Sequence, residues 1–242
     1  MNDLELQNLI QKAESGNKVA QYNLGLYYDT KQEYDKAAYW YKKAAEQGVA
    51  KAQCNLGSCY GCGQGVEQDN QQEVFWYTKA AQQGNAIAQY NLAIAYWNGA
   101  GVAKDNEKAV FWYKQAAEQG HARAQNNLGY CYKNGFGVAK DYAQAVYWYK
   151  QSAEQGLAKA QDNLGNCYEN GIGVEKDYQE AIYWYKKSAE QGYASALYNL
   201  GRCYENAIGA PYNIDKAIEW YKQASKKGHK EAKESLVRLG AA

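Results

Sequence analysis

A chain of 242 residues with 46% hydrophobic and 14% aromatic side chains can bury a sizeable core, which excludes a disordered tail or linker. Its formal net charge of +1 gives no overall pull towards nucleic acid or an anionic membrane surface. The single proline, Pro211, lets helix run almost everywhere, and 23 glycines punctuate it.

The chain opens Met1-Asn2-Asp3-Leu4-Glu5, acidic where a secretion leader needs a basic start and then an apolar run. The cytoplasm is therefore the expected compartment. No stretch approaches the ~20 apolar residues that span a bilayer, so no membrane insertion is expected. Leu4 to Glu14 reads as an isolated helix. After it the sequence repeats: Trp40, Trp76, Trp112, Trp148, Trp184 and Trp220 lie 36 residues apart, as do Gly48, Gly84, Gly120, Gly156, Gly192 and Gly228. Such a period means one supersecondary unit per repeat, each burying its apolar face against the next.

Every unit has two halves. Ala122 to Tyr132 shows the first, Ala-x-Ala-Gln-x-Asn-Leu-Gly-x-x-Tyr. Ala181 to Gly192 shows the second, Ala-x-x-Trp-Tyr-x-x-(Ala/Ser)-Ala-Glu-Gln-Gly. Ala124, Leu128, Cys131 and Tyr132 share a helix face in one half, and Ala145, Tyr149, Ser152 and Ala153 share one in the other. Asp141 with Gln144, and Asp177 with Glu180, are N-cap pairs, and the closing glycine is a left-handed cap. Between the halves stands Gly-x-Gly-Val, at Gly63, Gly99, Gly135 and Gly171. It is absent from the first unit, where Gly16 to Gly48 spans only 32 residues. The loop is thus an insertion between invariant helices. The last unit drifts, with Ala207-Ile208-Gly209-Ala210-Pro211, and Glu231 to Leu239 reads as a lone first helix. Fourteen helices are expected.

Leu-Gly-x-x-Tyr in the first helix and Ala-x-x-x-Tyr in the second resemble the tetratricopeptide pattern. The 36-residue length, the Gly-x-Gly-Val loop and the Trp-Tyr-x-x-Ala-Ala-x-x-Gly ending resemble more closely the related Sel-1-like repeat. The fold expected is all-α, a right-handed α/α superhelical solenoid. Residues 1–16 form an N-terminal cap. Six repeats follow at 17–48, 49–84, 85–120, 121–156, 157–192 and 193–228, and 229–242 form a C-terminal cap. Capped ends favour a monomer.

The resemblance implies that first helices line a concave face. There one position barely varies: Asn23, Asn55, Asn91, Asn127, Asn163 and Asn199. An amide offers both donor and acceptor, which is what an extended peptide backbone presents in reverse. The alternative is that each Asn bonds a neighbouring helix and only stabilises stacking. Flanking rows vary between units, as specificity requires. Trp97 breaks the 36-residue tryptophan series in the row of Gly61, Lys133, Glu169 and Glu205. Tyr90, Ile94, Trp97 and Tyr130 are the candidate apolar anchors, with Arg123 and Lys159 beside them for an acidic flank.

Catalysis finds little support. The two histidines, His121 and His229, each follow a cap glycine and are expected exposed, and Ser58 and Ser188 have no base partner. Gly-x-Gly-Val follows a helix and lacks the P-loop lysine. Cys59, Cys131, Cys167 and Cys203 share one buried-type position. Cys59-x-x-Cys62 has only Cys54 nearby, short of a zinc set, so no metal or cofactor is expected. The cysteine-rich branch of the resembling family pairs its cysteines across unit junctions. Those places here hold Ala45, Gln53, Ala81 and Gln89, which implies free thiols and a reducing compartment. The expected function is a non-enzymatic scaffold or adaptor for a protein or extended peptide. The alternatives are a ligand-binding or β-lactam-hydrolysing member of the cysteine-rich branch, or an architectural repeat without a natural partner.

Overall fold

The computed structural model describes residues 2–242. Among them are fourteen helices and no strand: α1 (Asp3–Glu14), α2 (Lys18–Thr30), α3 (Tyr34–Glu46), α4 (Ala50–Cys62), α5 (Asn70–Gln82), α6 (Ala86–Asn98), α7 (Asn106–Glu118), α8 (Ala122–Asn134), α9 (Tyr142–Glu154), α10 (Ala158–Asn170), α11 (Tyr178–Glu190), α12 (Ala194–Glu205), α13 (Ile214–Lys226) and α14 (Lys230–Arg238). They fall into two compact units, Met1–His121 and Ala122–Ala242. The first holds α1 and three helix pairs, and the second holds three pairs and α14.

Local chemistry sets the helix boundaries. Asp141 accepts from the Gln144 N–H, and Asp177 from those of Gln179 and Glu180, meeting donors that a helix start leaves unpaired. Past each second helix the chain turns at a glycine with positive φ, as at Gly156 (+89°) with open space around it.

Within a pair, the first helix offers a glycine and the second a tyrosine. A Cβ on Gly129 or Gly165 would lie 2.8 Å from the ring of Tyr149 or Tyr185, so the bare backbone admits the ring. Tyr41, Tyr77, Tyr149, Tyr185 and Tyr221 are all buried this way. The third pair carries Ala93 at the glycine position opposite Tyr113, and both remain buried.

Successive pairs are joined by two devices. The second glycine of the loop lies on the start of the preceding second helix: a Cβ on Gly65, Gly101 or Gly173 would collide with the carbonyl of Tyr34, Asn70 or Tyr142. The loop is therefore a stacking element. The other device is a buried glutamine. Gln53 Nε2 donates to the Ala45 carbonyl at 3.1 Å while its Oε1 accepts from Gln83 Nε2 at 2.7 Å. Gln89 does the same with Ala81 and Gln119, and Gln161 with Ala153 and Gln191. At these three steps the Ala-x-Ala-Gln motif thus ties three helices, a role that helical periodicity alone does not reveal.

Candidate functional site

The first-helix faces carry the residues that vary between repeats. In the N-terminal unit, Tyr90, Ile94 and Trp97 recur at intervals of four and three along α6, so they share one side of it, each half-buried. The Tyr90 ring stacks on His121 with centroids 4.6 Å apart and lies 6.0 Å from the Tyr113 ring. Tyr198 repeats this with His229 at 4.5 Å. The expectation that both histidines are exposed is corrected: each is half-buried against a tyrosine, because the cap glycine turns the chain back over the first helix.

In the C-terminal unit, Arg123, Tyr130 and Lys159 are exposed on α8 and α10, with Tyr130 beside Phe136 at 5.8 Å. The ladder amides there are engaged within the chain. Asn163 Nδ2 donates to Asn126 Oδ1 at 2.9 Å, and Asn126 in turn donates to Asn127 Oδ1 at 3.2 Å. Asn199 Nδ2 donates to Asp162 Oδ1 at 2.9 Å and its oxygen accepts from Arg202 at 3.3 Å. In the N-terminal unit, Asn55 and Asn91 are half-buried. Asn23 is exposed. Bonds between neighbouring first helices thus engage Asn163 and Asn199 in the C-terminal unit.

The row that contains Trp97 has a structural job in its other members. Asp29 accepts from the Tyr41 hydroxyl at 3.2 Å, Glu169 from Tyr185 at 2.6 Å and Glu205 from Tyr221 at 2.6 Å. Where the row holds Gly61, Ser58 meets the Tyr77 hydroxyl instead, at 3.0 Å. Trp97 thus stands where other repeats place a partner for the buried phenol. Around Glu169 a polar network forms that the sequence did not reveal. Arg202 donates to Glu169 at 3.0 Å, and Lys133 donates to Asn166 at 3.1 Å. Burial pushes the Asp162 carboxyl up to about 6, with Glu169 adding to the rise and the Asn199 bond opposing it.

Two serines and five of the cysteines are buried in the helix packing. Ser152 and Ser188 donate to the carbonyls of Ala122 and Ala158, both at 2.7 Å. Burial raises the thiols of Cys54, Cys59 and Cys167 to about 11 and those of Cys131 and Cys203 to about 12, away from thiolate chemistry. All six cysteines are free, and Cys62 alone is exposed. Among the described residues no group of three or more His, Cys, Asp or Glu is placed to hold a metal ion. None of the described helices is long and apolar enough to cross a membrane.

Paired helices joined by glycine–tyrosine contacts and repeated along the chain define an α/α repeat protein of the solenoid class. The sequence pattern of the Sel1 repeat matches residues 18–49, 50–85, 86–121, 122–157, 158–193 and 194–229. The chain belongs to the Sel1 repeat family. It is similar to a protective antigen of uropathogenic Escherichia coli strains that displays an SLR fold, with 37% identity and a TM-score of 0.90 over 97% of this chain. It spans 51% of that antigen's length. A Sel1 repeat protein from Oxalobacter formigenes is 38% identical with a TM-score of 0.83, covering 88% of this chain and 84% of its own. An immunity protein from Pseudomonas aeruginosa is 25% identical with a TM-score of 0.50, over 81% of this chain and 75% of its own.

Proposed function

We propose that this protein is a non-catalytic scaffold that holds a protein or extended peptide on the first-helix faces of its repeats. One observation carries the reading. Residues that face the paired second helix repeat almost unchanged, whereas the partly exposed first-helix rows vary between repeats: Tyr90, Ile94 and Trp97 in the N-terminal unit, Arg123, Tyr130 and Lys159 in the C-terminal one. Stacking needs no such variety; recognition does. Exposed tyrosine, tryptophan and arginine are the side chains that anchor interfaces. The ladder amides contribute what their internal bonds leave over, so side-chain anchors dominate specificity. Arg123 and Lys159 favour an acidic flank on the partner. Six free thiols favour a reducing compartment, and we place the protein in the cytoplasm.

The test is a crosslinking pull-down from host lysate read by mass spectrometry, comparing the native chain with a variant carrying Trp97→Ala, Tyr130→Ala and Arg123→Ala. A partner retained by the native chain and lost by a variant of similar melting temperature supports the reading. Identical retention by both sends the binding surface elsewhere.

A further inference from the structure

The two end helices are halves of one repeat. Gly16 and Gly48 close equivalent helices 32 residues apart, so Glu5, Asn8, Leu9 and Lys12 of α1 hold the places of Ala37, Trp40, Tyr41 and Ala44 of α3. In α3 that face lies on α2: Ala37, Tyr41 and Ala44 are buried, with the Tyr41 ring over Gly25. On α1 the same face has no first helix to cover it among the described residues. It opens instead into a cleft of about 520 Å³ against α2, with Leu9, Leu26 and Tyr27 as its apolar lining and Glu5 and Lys12 as charged members.

α14 presents the converse face. Gly228 is equivalent to Gly48, so Glu234, Val237 and Arg238 hold the places of Cys54, Gly57 and Ser58 of α4. In that repeat Cys54 packs with Tyr77 and Ala80, the Tyr77 ring lies over Gly57, and Ser58 meets the Tyr77 hydroxyl. On α14, Val237 is 62% exposed.

We propose that α14 of a second copy seats in the cleft beside α1, so that the chain associates head to tail with itself. The repeat register states which residues meet. Leu9 takes the place of the tyrosine and Val237 that of the glycine, so the larger side chain shrinks where the smaller one grows and the pair keeps its fit. Lys12, in the place of Ala80, meets Glu234, in the place of Cys54. Glu5, in the place of Glu73, comes within reach of Arg238, in the place of Ser58. Arg238 already donates to Glu205 at 2.6 Å and keeps further donors for a second carboxylate. Both ionic contacts have opposite signs, and the apolar contact lies between them. Such a contact is heterologous, using a different surface on each copy. It buries one helix face and is therefore weak. The proposal stands against the sequence-based expectation of a monomer, and the oligomeric state decides between them.

The experiment is sedimentation velocity on the full chain at low salt, from micromolar concentration to on the order of 1 mM. The native chain is expected to gain mass with concentration. Lys12→Glu and Glu234→Lys are each expected to weaken association about fivefold or more, with unchanged circular dichroism because both side chains are exposed. Two further samples fix the interface. The double variant K12E/E234K restores self-association, and mixing the two single variants restores it too, because each variant's residue 234 then meets an opposite charge at position 12 of the other. A single-chain mass at every concentration overturns the proposal. So does association that ignores the charge reversals, or a double variant no better than the singles.

Discussion

The same substitution in two neighbouring repeats of the C-terminal unit should have different consequences. Tyr185→Phe removes a buried hydroxyl that donates to Glu169 at 2.6 Å, leaving a carboxylate 6% exposed with Arg202 as its remaining bonded side chain. A hydrogen bond to a charged group contributes about 1.5–3 kcal/mol, and the carboxylate's lost desolvation compensation puts the cost at the upper end, about 2–3 kcal/mol. Tyr149 is equally buried, but its hydroxyl has no hydrogen-bond partner among the described residues, since Lys133 occupies the row position where Glu169 stands one repeat later. Tyr149→Phe breaks no hydrogen bond of this kind and leaves no carboxylate behind, so it costs about 0–1 kcal/mol. Urea unfolding followed at 222 nm reads the difference. With a slope of about 2–3 kcal/mol per molar, Tyr185→Phe lowers the midpoint by about 1 M while Tyr149→Phe leaves it near the native value. Equal shifts for the two variants refute the assignment of that row to the phenols.

Three other measurements bear on the same architecture. Asp162 has a folded-state pKa raised from 3.8 to about 6, so its contribution to stability is fully present below about 4 and is lost as pH rises through 6. Asp162→Asn keeps an oxygen for Asn199, as Asn126 does for Asn163, and is expected to flatten that decline and stabilise at pH 7 by on the order of 1–3 kcal/mol, read by melting at pH 4 and pH 7. Gly173→Ala combines a left-handed φ of +70° with a collision against the Tyr142 carbonyl, so it costs more than about 2 kcal/mol; Gly156→Ala, at φ +89° in open space, costs about 1–2 kcal/mol, and melting temperatures should rank them so. Under native conditions a thiol reagent should modify Cys62 alone, with the other five cysteines reacting only after unfolding.

Much of the fold was legible because a repeat prints its own alignment. Six copies separate what every unit keeps from what each unit varies, and spacings of three and four place the kept residues on helix faces. Caps such as Asp141 and Asp177, the buried cysteine row and the lone helices at either end all followed from that. What periodicity leaves out is which residue of one unit meets which residue of the next. Gln53, Gln89 and Gln161 were visible as letters of a motif, yet their carbonyl partners lie eight residues back on another helix and their amide partners 30 residues ahead.

One signal could have exposed the glutamine device, and it shows how such repeats can be read. In the sixth repeat Leu197 replaces the first-helix glutamine, and Lys227 replaces the glutamine that closes the second helix. The two exceptions fall in the same unit and on the two residues that bond each other elsewhere. An amide without its acceptor would be left with a lone buried polar end, so the pair is lost together, and Leu197 is buried at that place. The row Asp29, Gly61, Trp97, Lys133, Glu169 and Glu205 carries the same kind of information: where Gly61 removes the acid, Ser58 supplies the oxygen that Tyr77 meets. Correlated departures from a repeat mark contacts, whereas isolated departures on an exposed face, such as Arg123 and Lys159, have no partner inside the repeat to explain them. That asymmetry is the physical ground for seeking the partner's footprint among the uncorrelated residues.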